Sequence, residues 1–447
     1  MGSRVGPGVG RALIALAVLL GSLQAVGLAR GAVAPGKNGV LLLAAPEGTT
    51  FAGAHAVARA RGADCYSGLP NELWTVHPSG RGLAAVGKGD FGNFSPDGRL
   101  LVTSASPGCY SGNMLSLSRR PFRGERAIPG ADFTGAEAFA TLGPWLGPED
   151  PAFLAPDGSF RDGITGRHLS AGALPAGSMS CSGRVAHPDG EIDTPVRAAG
   201  HATVNWRRTS QLVWLGEENE TTVQWSPDGR YVYFTTWTRR TSRLWRVDAS
   251  GGRRRLLFSV PRSADLLSDL SPDGHWILMT TNDDHGGQRL LVITTDGRRL
   301  HAVTPSPGPA TINASAEWSP RGDLLLVDGA TTYPTPTGIA SRSFVYVVRP
   351  SGGPHRRLPL PSSAVWSPDE RYLAYTTGGP APDPQTTLTP FSLVIFSLAA
   401  DSARAVLTAR VPIDSTASQP GGLAVADWQT RPGSSHPIRC SDGRPPF

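Results

Sequence analysis

The chain has 447 residues and a mass of 47.0 kDa, and its Gly 54 and Pro 40 make long uninterrupted helices improbable. A hydrophobic content of 39% with 7% aromatics excludes wholesale disorder and a multi-span membrane protein. The formal net charge is +6, and of the 42 basic residues only Lys37 and Lys88 are lysine. A modest charge spread along the whole chain argues against a nucleic-acid-binding element, which would gather its basic residues where they enter a groove.

In chain order, residues 1–11 (MGSRVGPGVGR) carry Arg4 and Arg11 and no acid, and ALIALAVLLGSLQAVGLA at 12–29 is an apolar run ending in small residues. That is the layout of a secretory signal. Gly27 and Ala29 satisfy the small-x-small rule, so the expected cut follows Ala29 and the mature chain starts at Arg30. The alternative is an uncleaved anchor, the one route by which this chain would touch a membrane, because an apolar run of 18 residues is the lower limit for spanning. The expected organisation is a signal at 1–29, a short linker at 30–38, a folded body at 39–432 and a tail at 433–447.

Cys65, Cys109, Cys181 and Cys440 are an even count in a chain bound for export, and four cysteines allow three pairings. CYSG occurs at 65–68 and again at 109–112, each time between predicted strands. Equivalent loops of neighbouring repeats would pair Cys65 with Cys109 and leave Cys181 for Cys440; four reduced thiols are the alternative. No spacing is CxxC or of zinc-finger type, so no metal is expected on sulfur.

One pattern recurs: FSPDGRLLVTSA at 94–105, WSPDGRYVYFTT at 225–236, LSPDGHWILMTT at 270–281, WSPRGDLLLVDG at 318–329 and WSPDERYLAYTT at 366–377. Ser226 to Ser271 is 45 residues, and Ser271 to Ser319 and Ser319 to Ser367 are 48 each. A near-constant period of this size belongs to propeller blades of four strands. In the repeat Pro presets the first turn position, Asp tolerates the next and Gly supplies the left-handed one. These are Pro96, Asp97 and Gly98; Pro227, Asp228 and Gly229; Pro272, Asp273 and Gly274; Pro320 and Gly322; and Pro368 and Asp369.

A strand–turn–strand landmark follows each repeat: LWRVDASGGRRRLLF at 244–258, LLVITTDGRRLHAV at 290–303, FVYVVRPSGGPHRRL at 344–358 and LVIFSLAADSARAVL at 393–407. The same outer hairpin occurs early, LWTVHPSGRGLAAV at 73–86 after GVLLLA at 39–44, with no SPDG before it. AVADWQT at 424–430 has the missing inner strand, so both ends are expected to share one blade with Trp428 buried in it. Residues 129–221 are irregular, with degenerate turns APDG at 155–158 and HPDG at 187–190 and an expected hairpin TVNWRRTSQLVWLG at 203–216. The fold class is therefore all-β, a single propeller of seven blades, with eight as the alternative.

WSPDGRYVYFTTW followed by RLWRVDASGG, together with the terminal ADWQ, resembles the WD-like repeat of TolB-like exported propellers over most of the chain. The resemblance implies the fold, and either an interaction module of the periplasm or a propeller of the kind that caps serine peptidases. The usual family protein has six blades and a separate N-terminal α/β domain, for which residues 30–38 leave no room.

A peptidase would need GxSxG on a strand-to-helix turn, and GCYSGN at 108–113 has the wrong spacing. The ten histidines form no HxH or HExxH pair. GEENE at 216–220 and NDDHGG at 282–287 are acidic loop clusters, read as solvated turns; a Ca²⁺ site is the alternative. Arg239, Arg240 and Arg243 with Arg253, Arg254 and Arg255 suggest one basic patch on one blade, solubilising or open to an acidic polymer or headgroup. No catalytic, cofactor or metal set emerges. The expected function is that of an exported, monomeric, non-enzymatic scaffold binding a protein or an envelope glycan. The alternative is a secreted lyase or hydrolase with a non-contiguous site at the channel mouth.

Overall fold

The computed structural model describes residues 33–437 apart from 35–36, 53–70, 90, 96, 106–113, 123–125, 133–140, 146–150, 155–159, 164–177, 180–183, 187–190, 198–203, 212–218, 253, 262–266, 283–287, 305–310, 337, 361–363, 379–387, 413–421 and 432–435. Cys65, Cys109, Cys181, Cys440, Pro96 and the signal segment lie outside the described residues, as does the mature start at Arg30.

The SPDG turn is built around its serine. In the third copy, Ser271 Oγ donates to Asp273 Oδ1 at 2.5 Å and accepts the Trp276 N–H at 2.9 Å, while Gly274 N–H closes the turn onto Ser271 O at 2.8 Å. Asp273 Oδ1 also accepts the His275 N–H at 3.0 Å, the local competition with the backbone that makes Asp a turn residue. Gly98, Gly229, Gly274 and Gly322 all have φ between 70° and 83°, the left-handed region where a Cβ is costly. The two aberrant copies differ in a readable way. Arg321 stands in the Asp position, so Ser319 Oγ turns to Asp323 at 3.2 Å; Glu370 stands in the Gly position and takes φ 61°.

Each turn joins adjacent antiparallel strands of one sheet. The Trp225 blade comprises Asn219–Trp225, Tyr231–Trp237, Thr241–Asp248 and Arg255–Pro261 in that spatial order. The Leu270 blade comprises Asp269–Leu270, Trp276–Asn282, Gln288–Thr294 and Leu300–Ala302. The Trp318 blade comprises Thr311–Trp318, Leu325–Thr335, Gly338–Val348 and Arg356–Arg357. The Trp366 blade has Val365–Trp366, Tyr372–Gly378, Leu388–Ser397 and Ser402–Pro412, and takes Thr50–Phe51 as a fifth strand on its outer edge. The Phe94 blade comprises Phe91–Phe94, Leu100–Ala105, Met114–Arg119 and Arg126–Asp132.

Both chain ends share the closing blade. Ala424–Thr430 pairs with Asn38–Pro46, which pairs in turn with Asn71–Val76 and that with Ala84–Lys88. Leu41 faces Trp428 and Leu42 faces Asp427. Trp428 is 4% exposed, against 5% for Trp225 and Trp318 and 1% for Trp366. The expected linker and tail are not independent of one another, since Val33–Ala34 pairs with His436–Pro437.

The irregular stretch carries two sheets: Thr141–Trp145, Pro151–Leu154 and Phe160–Asp162, then Ser178–Met179, Val185–Ala186, Glu191–Arg197 and Val204–Gln211. Antiparallel pairs Leu154–Phe160 and Ala186–Ile192 flank APDG and HPDG, whose turn residues lie outside the described set. Of the hairpin expected at 203–216, residues 203 and 212–216 lie outside the described residues, and the turn it would need within 204–211 is corrected. Val204–Gln211 is one strand, paired along Glu191–Arg197, because nothing between 204 and 211 is a Gly, Pro or Asn-Gly breaker. Among the described residues seven sheets have four or more strands and an eighth has three.

Hydrophobic packing lies between successive sheets, which is why both alternating sets of each strand are apolar. Tyr233, Leu257 and Ile277 join the Trp225 and Leu270 blades. Leu278, Trp318 and Tyr346 join the next pair, and Val347, Trp366 and Phe396 the one after. Leu41, Trp74, Leu393 and Trp428 bind the Trp366 blade to the closing blade, which meets the Phe94 blade through Leu42, Leu73, Phe94 and Leu101. These antiparallel blades in series, closed by a strand from the far end of the chain, are a β-propeller.

Candidate functional site

Strand alternation puts the SPDG turns and the outer-hairpin turns at one end of the blades and the remaining connections at the other. At the SPDG end, two concentric rows of contacts run from blade to blade. In the inner row a Cβ on Gly274 would stand 3.3 Å from Pro227, and one on Gly322 would stand 3.1 Å from Asp273. Arg321 Nε then lies 3.3 Å from Glu370 Oε2, and Asp369 N–H donates to Asn38 Oδ1 at 3.2 Å. Gln429 Nε2 donates to Gly98 O while Gln429 Oε1 accepts the Val40 N–H at 3.0 Å. Asp427 Oδ2 accepts the buried Phe94 N–H at 2.9 Å.

Apart from Pro96, which lies outside the described residues, the turn residues singled out in the sequence are thus brought to one end of the fold, and their polar atoms are spent on building the turns and joining them. Asp97, Asp228, Asp273 and Asp369 each accept their turn serine's hydroxyl, so none is a spare carboxylate. Sequence reasoning missed the serines, although their invariance across the five copies was visible. It also missed Arg321 and Glu370, whose twin departures from the repeat are one ion pair across two blades.

In the outer row the fourth strand of each blade meets the next blade's hairpin turn: Leu257 against Gly297, His301 against Gly352, Val406 against Gly80. Arg356 Nη1 donates to Leu398 O at 2.8 Å and pairs with Asp401 at 2.8 Å. This row carries a basic rim. Arg254 and Arg255, Arg298 and Arg299, and Arg356 and Arg357 lie on the outer hairpins of three consecutive blades but not in one register. By strand pairing His301 stands where Arg255 and Arg356 stand, and Arg298 and Arg299 fall in the turn before it. Asp248 and Asp296 lie on the same hairpins and Asp401 on the next blade's. Arg254 is stacked on Trp245 at 4.3 Å, which fixes its guanidinium. The Thr294 hydroxyl, then the Arg298 N–H and the charges of Arg298 and Arg255, hold the Asp296 carboxyl below its ordinary range.

The single basic patch expected from Arg239 to Arg255 is corrected. Arg239 and Arg240 sit in the turn before Thr241–Asp248, whereas Arg255 pairs with Arg246 towards the other end of that strand, about 20 Å from Arg240 at strand rise, with Arg243 between them. Residues 216–218 and 283–287 of the two acidic clusters lie outside the described residues. Among the described residues no three His, Cys, Asp or Glu side chains are grouped to hold a metal.

One carboxylate beside the inner strands stands apart. Asp328 Oδ1 accepts the Ser315 hydroxyl at 2.7 Å, and burial raises its carboxyl above the ordinary range despite that bond. A carboxyl raised in the fold contributes stability that is fully present below its unfolded pKa and is lost as pH climbs through the folded value. Asp328→Asn is therefore expected to raise the melting temperature at pH 7 and to flatten its decline between pH 4 and pH 7. An unchanged pH profile in calorimetry would show that Asp328 is solvated.

No family model and no curated protein matches the chain. Among solved structures, TolB from Agrobacterium tumefaciens is 14% identical over 60% of this chain and 94% of its own, with a TM-score of 0.31. Oligogalacturonate lyase from Vibrio parahaemolyticus is 11% identical, covers 83% and 86%, and has a TM-score of 0.40. A prolyl endopeptidase is 12% identical with a TM-score of 0.42; the match takes in 92% of this chain but spans 57% of that protein. At this degree of likeness no residue role passes from them to this chain.

Proposed function

We propose that the protein is an exported, non-enzymatic propeller scaffold that binds an acidic partner, an envelope glycan or an acidic protein surface, at the rim of its SPDG end. The observation that carries this reading is the rim itself, three pairs of arginines on the outer hairpins of three adjacent blades with half as many aspartates beside them. Arginine offers a planar fork matched to carboxylate and phosphate, and a row of them suits an extended polyanion better than a point charge. The turn aspartates Asp97, Asp228, Asp273 and Asp369 are each hydrogen-bonded to their own turn serine, so their carboxylates are spent on structure. Export rests on the charged start and apolar run of residues 1–29.

The test is binding of an acidic polysaccharide and an acidic peptide at several salt concentrations. Arg255→Gln, Arg299→Gln and Arg357→Gln together should weaken binding at least about tenfold and flatten its salt dependence, with no change in melting temperature. Wild-type protein that ignored both probes, or a triple variant that bound them equally, would overturn the proposal. A secreted lyase or hydrolase is the second reading, favoured only by the raised carboxyl of Asp328. Turnover of a polysaccharide or peptide that Asp328→Asn abolished would establish it.

A further inference from the structure

At the end opposite the arginine rim, one blade is unlike its neighbours. The middle strands of the Trp318 blade, Leu325–Thr335 and Gly338–Val348, are 11 residues each, where those of the Trp225 blade are 7 and 8, those of the Leu270 blade 7 each and those of the Trp366 blade 7 and 10. They run in unbroken antiparallel register to Thr335–Gly338, so the hairpin projects beyond the blade. Ile339 at its tip is 82% exposed and Tyr333 42%.

The outer strand of this blade is too short to cover it. Arg356–Arg357 pairs only with Tyr346 and Val347, and beyond it Leu358 N–H reaches Val345 O at 2.8 Å and Arg357 Nη2 reaches Ser343 O at 3.5 Å. In an antiparallel strand the N–H and C=O of one residue point the same way and alternate residues share that direction. Val345 and Ser343 point outward, so Ser341 and Ile339 do too. Among the described residues no strand pairs with that edge. An uncovered edge of this kind is a template for another chain.

The molecule itself shows how such an edge is filled. On the neighbouring Trp366 blade, Thr50–Phe51 pairs with Arg410 and Ala409, and Ala52 N–H donates to Thr408 O at 2.9 Å, adding an antiparallel strand at the same end of the fold. Phe51 is 3% exposed and packs on Trp74 with ring centroids 5.0 Å apart.

We propose that the edge Gly338–Arg342 is a strand-addition site for an extended acidic peptide of a partner protein. Backbone pairing with Ile339 and Ser341 would supply the affinity, and side chains on alternate faces the selectivity. Ile339 and Arg342 lie on opposite faces of the strand, so the peptide carries an apolar residue beside Ile339 and an acid beside Arg342. Arg342 is exposed, and residues 331–348 contain no Asp or Glu, so charge complementarity selects an acidic occupant over a second copy of this chain, whose formal net charge is +6. This site is separate from the arginine rim and stands or falls independently of it.

The experiment displays a random seven-residue peptide library against the whole protein, then measures the selected synthetic peptides by titration. Expected are peptides with an acid and an apolar residue three positions apart, and amide protection appearing at Ile339 and Ser341 when they bind. Ser341→Pro removes an outward N–H that makes no bond within the blade, and should cost at least about tenfold in affinity with the melting temperature unchanged. Arg342→Glu should cost a similar factor, and Ile339→Arg serves if the proline variant misfolds. Three results would overturn the proposal: no enriched peptide, binding indifferent to these variants, or a wild-type dimer in sedimentation that Ser341→Pro dissolves. Binding lost instead in an Arg255→Gln and Arg299→Gln double variant, which leaves Arg357 and its bond to Ser343 O in place, would move the peptide to the rim and overturn this site alone.

Discussion

Removing residues 424–447 is expected to abolish the soluble monomer. Ala424–Thr430 is the innermost strand of the closing blade, and without it Asn38–Pro46 becomes an open edge whose residues Leu41 to Leu43 are fully buried in the intact ring. The loss also strips the Phe94 N–H of its Asp427 acceptor and the Gly98 carbonyl of its Gln429 donor, so the neighbouring blade is affected as well. Substitutions in the full chain separate bulk from hydrogen bonding. Trp428→Ala should cost about 3–5 kcal/mol, the usual range for emptying a large aromatic site. Trp428→Phe should cost far less, because the buried Trp428 Nε1–H meets no protein acceptor. Chemical denaturation and size-exclusion chromatography read both results. A truncated chain that stayed monomeric and equally heat-resistant would refute closure by this strand.

Gly98→Ala is expected to be among the most damaging single methyl additions in the protein. Gly98 has φ 73°, and a Cβ there would land on the carbonyl oxygen of Thr430 in the closing strand. Gly82 is the matched control, with φ 68° and nothing within 4 Å of an added Cβ. Gly82→Ala should show only the left-handed penalty, about 1–2 kcal/mol. Gly98→Ala should add about 1–3 kcal/mol of steric conflict between two blades. Equal urea midpoints for the two variants would mean that the Gly98 turn and Thr430 do not meet.

The repeat was legible because its chemistry is local. Ser, Pro, Asp and Gly define a turn within a few residues, and the apolar run after it can only be a strand buried on both faces, so blade type and ring closure follow from spacing. The stretch 129–221 was less legible for the same reason: with turn residues degenerate or absent, Val204–Gln211 could be read as a hairpin when it is one strand. The candidate site was not local in this sense. Arg254, Arg298 and Arg356 are separated by tens of residues, and only the succession of blades puts them on adjacent hairpins at one end, while strand length separates Arg240 from Arg254 despite their closeness in sequence.

The sequence by itself therefore determined the blade, its period and the sharing of one blade by the two ends, because turn chemistry and strand burial act over a few residues. Tertiary structure alone decided the inter-blade pair of Arg321 with Glu370, the seating of Thr50–Phe51 on the Trp366 blade, and the bare edge at Ile339 and Ser341. The first depends on how one turn meets the next blade's, and the other two on how far one strand extends past another, which a repeat of period 45 to 48 leaves free to vary from blade to blade.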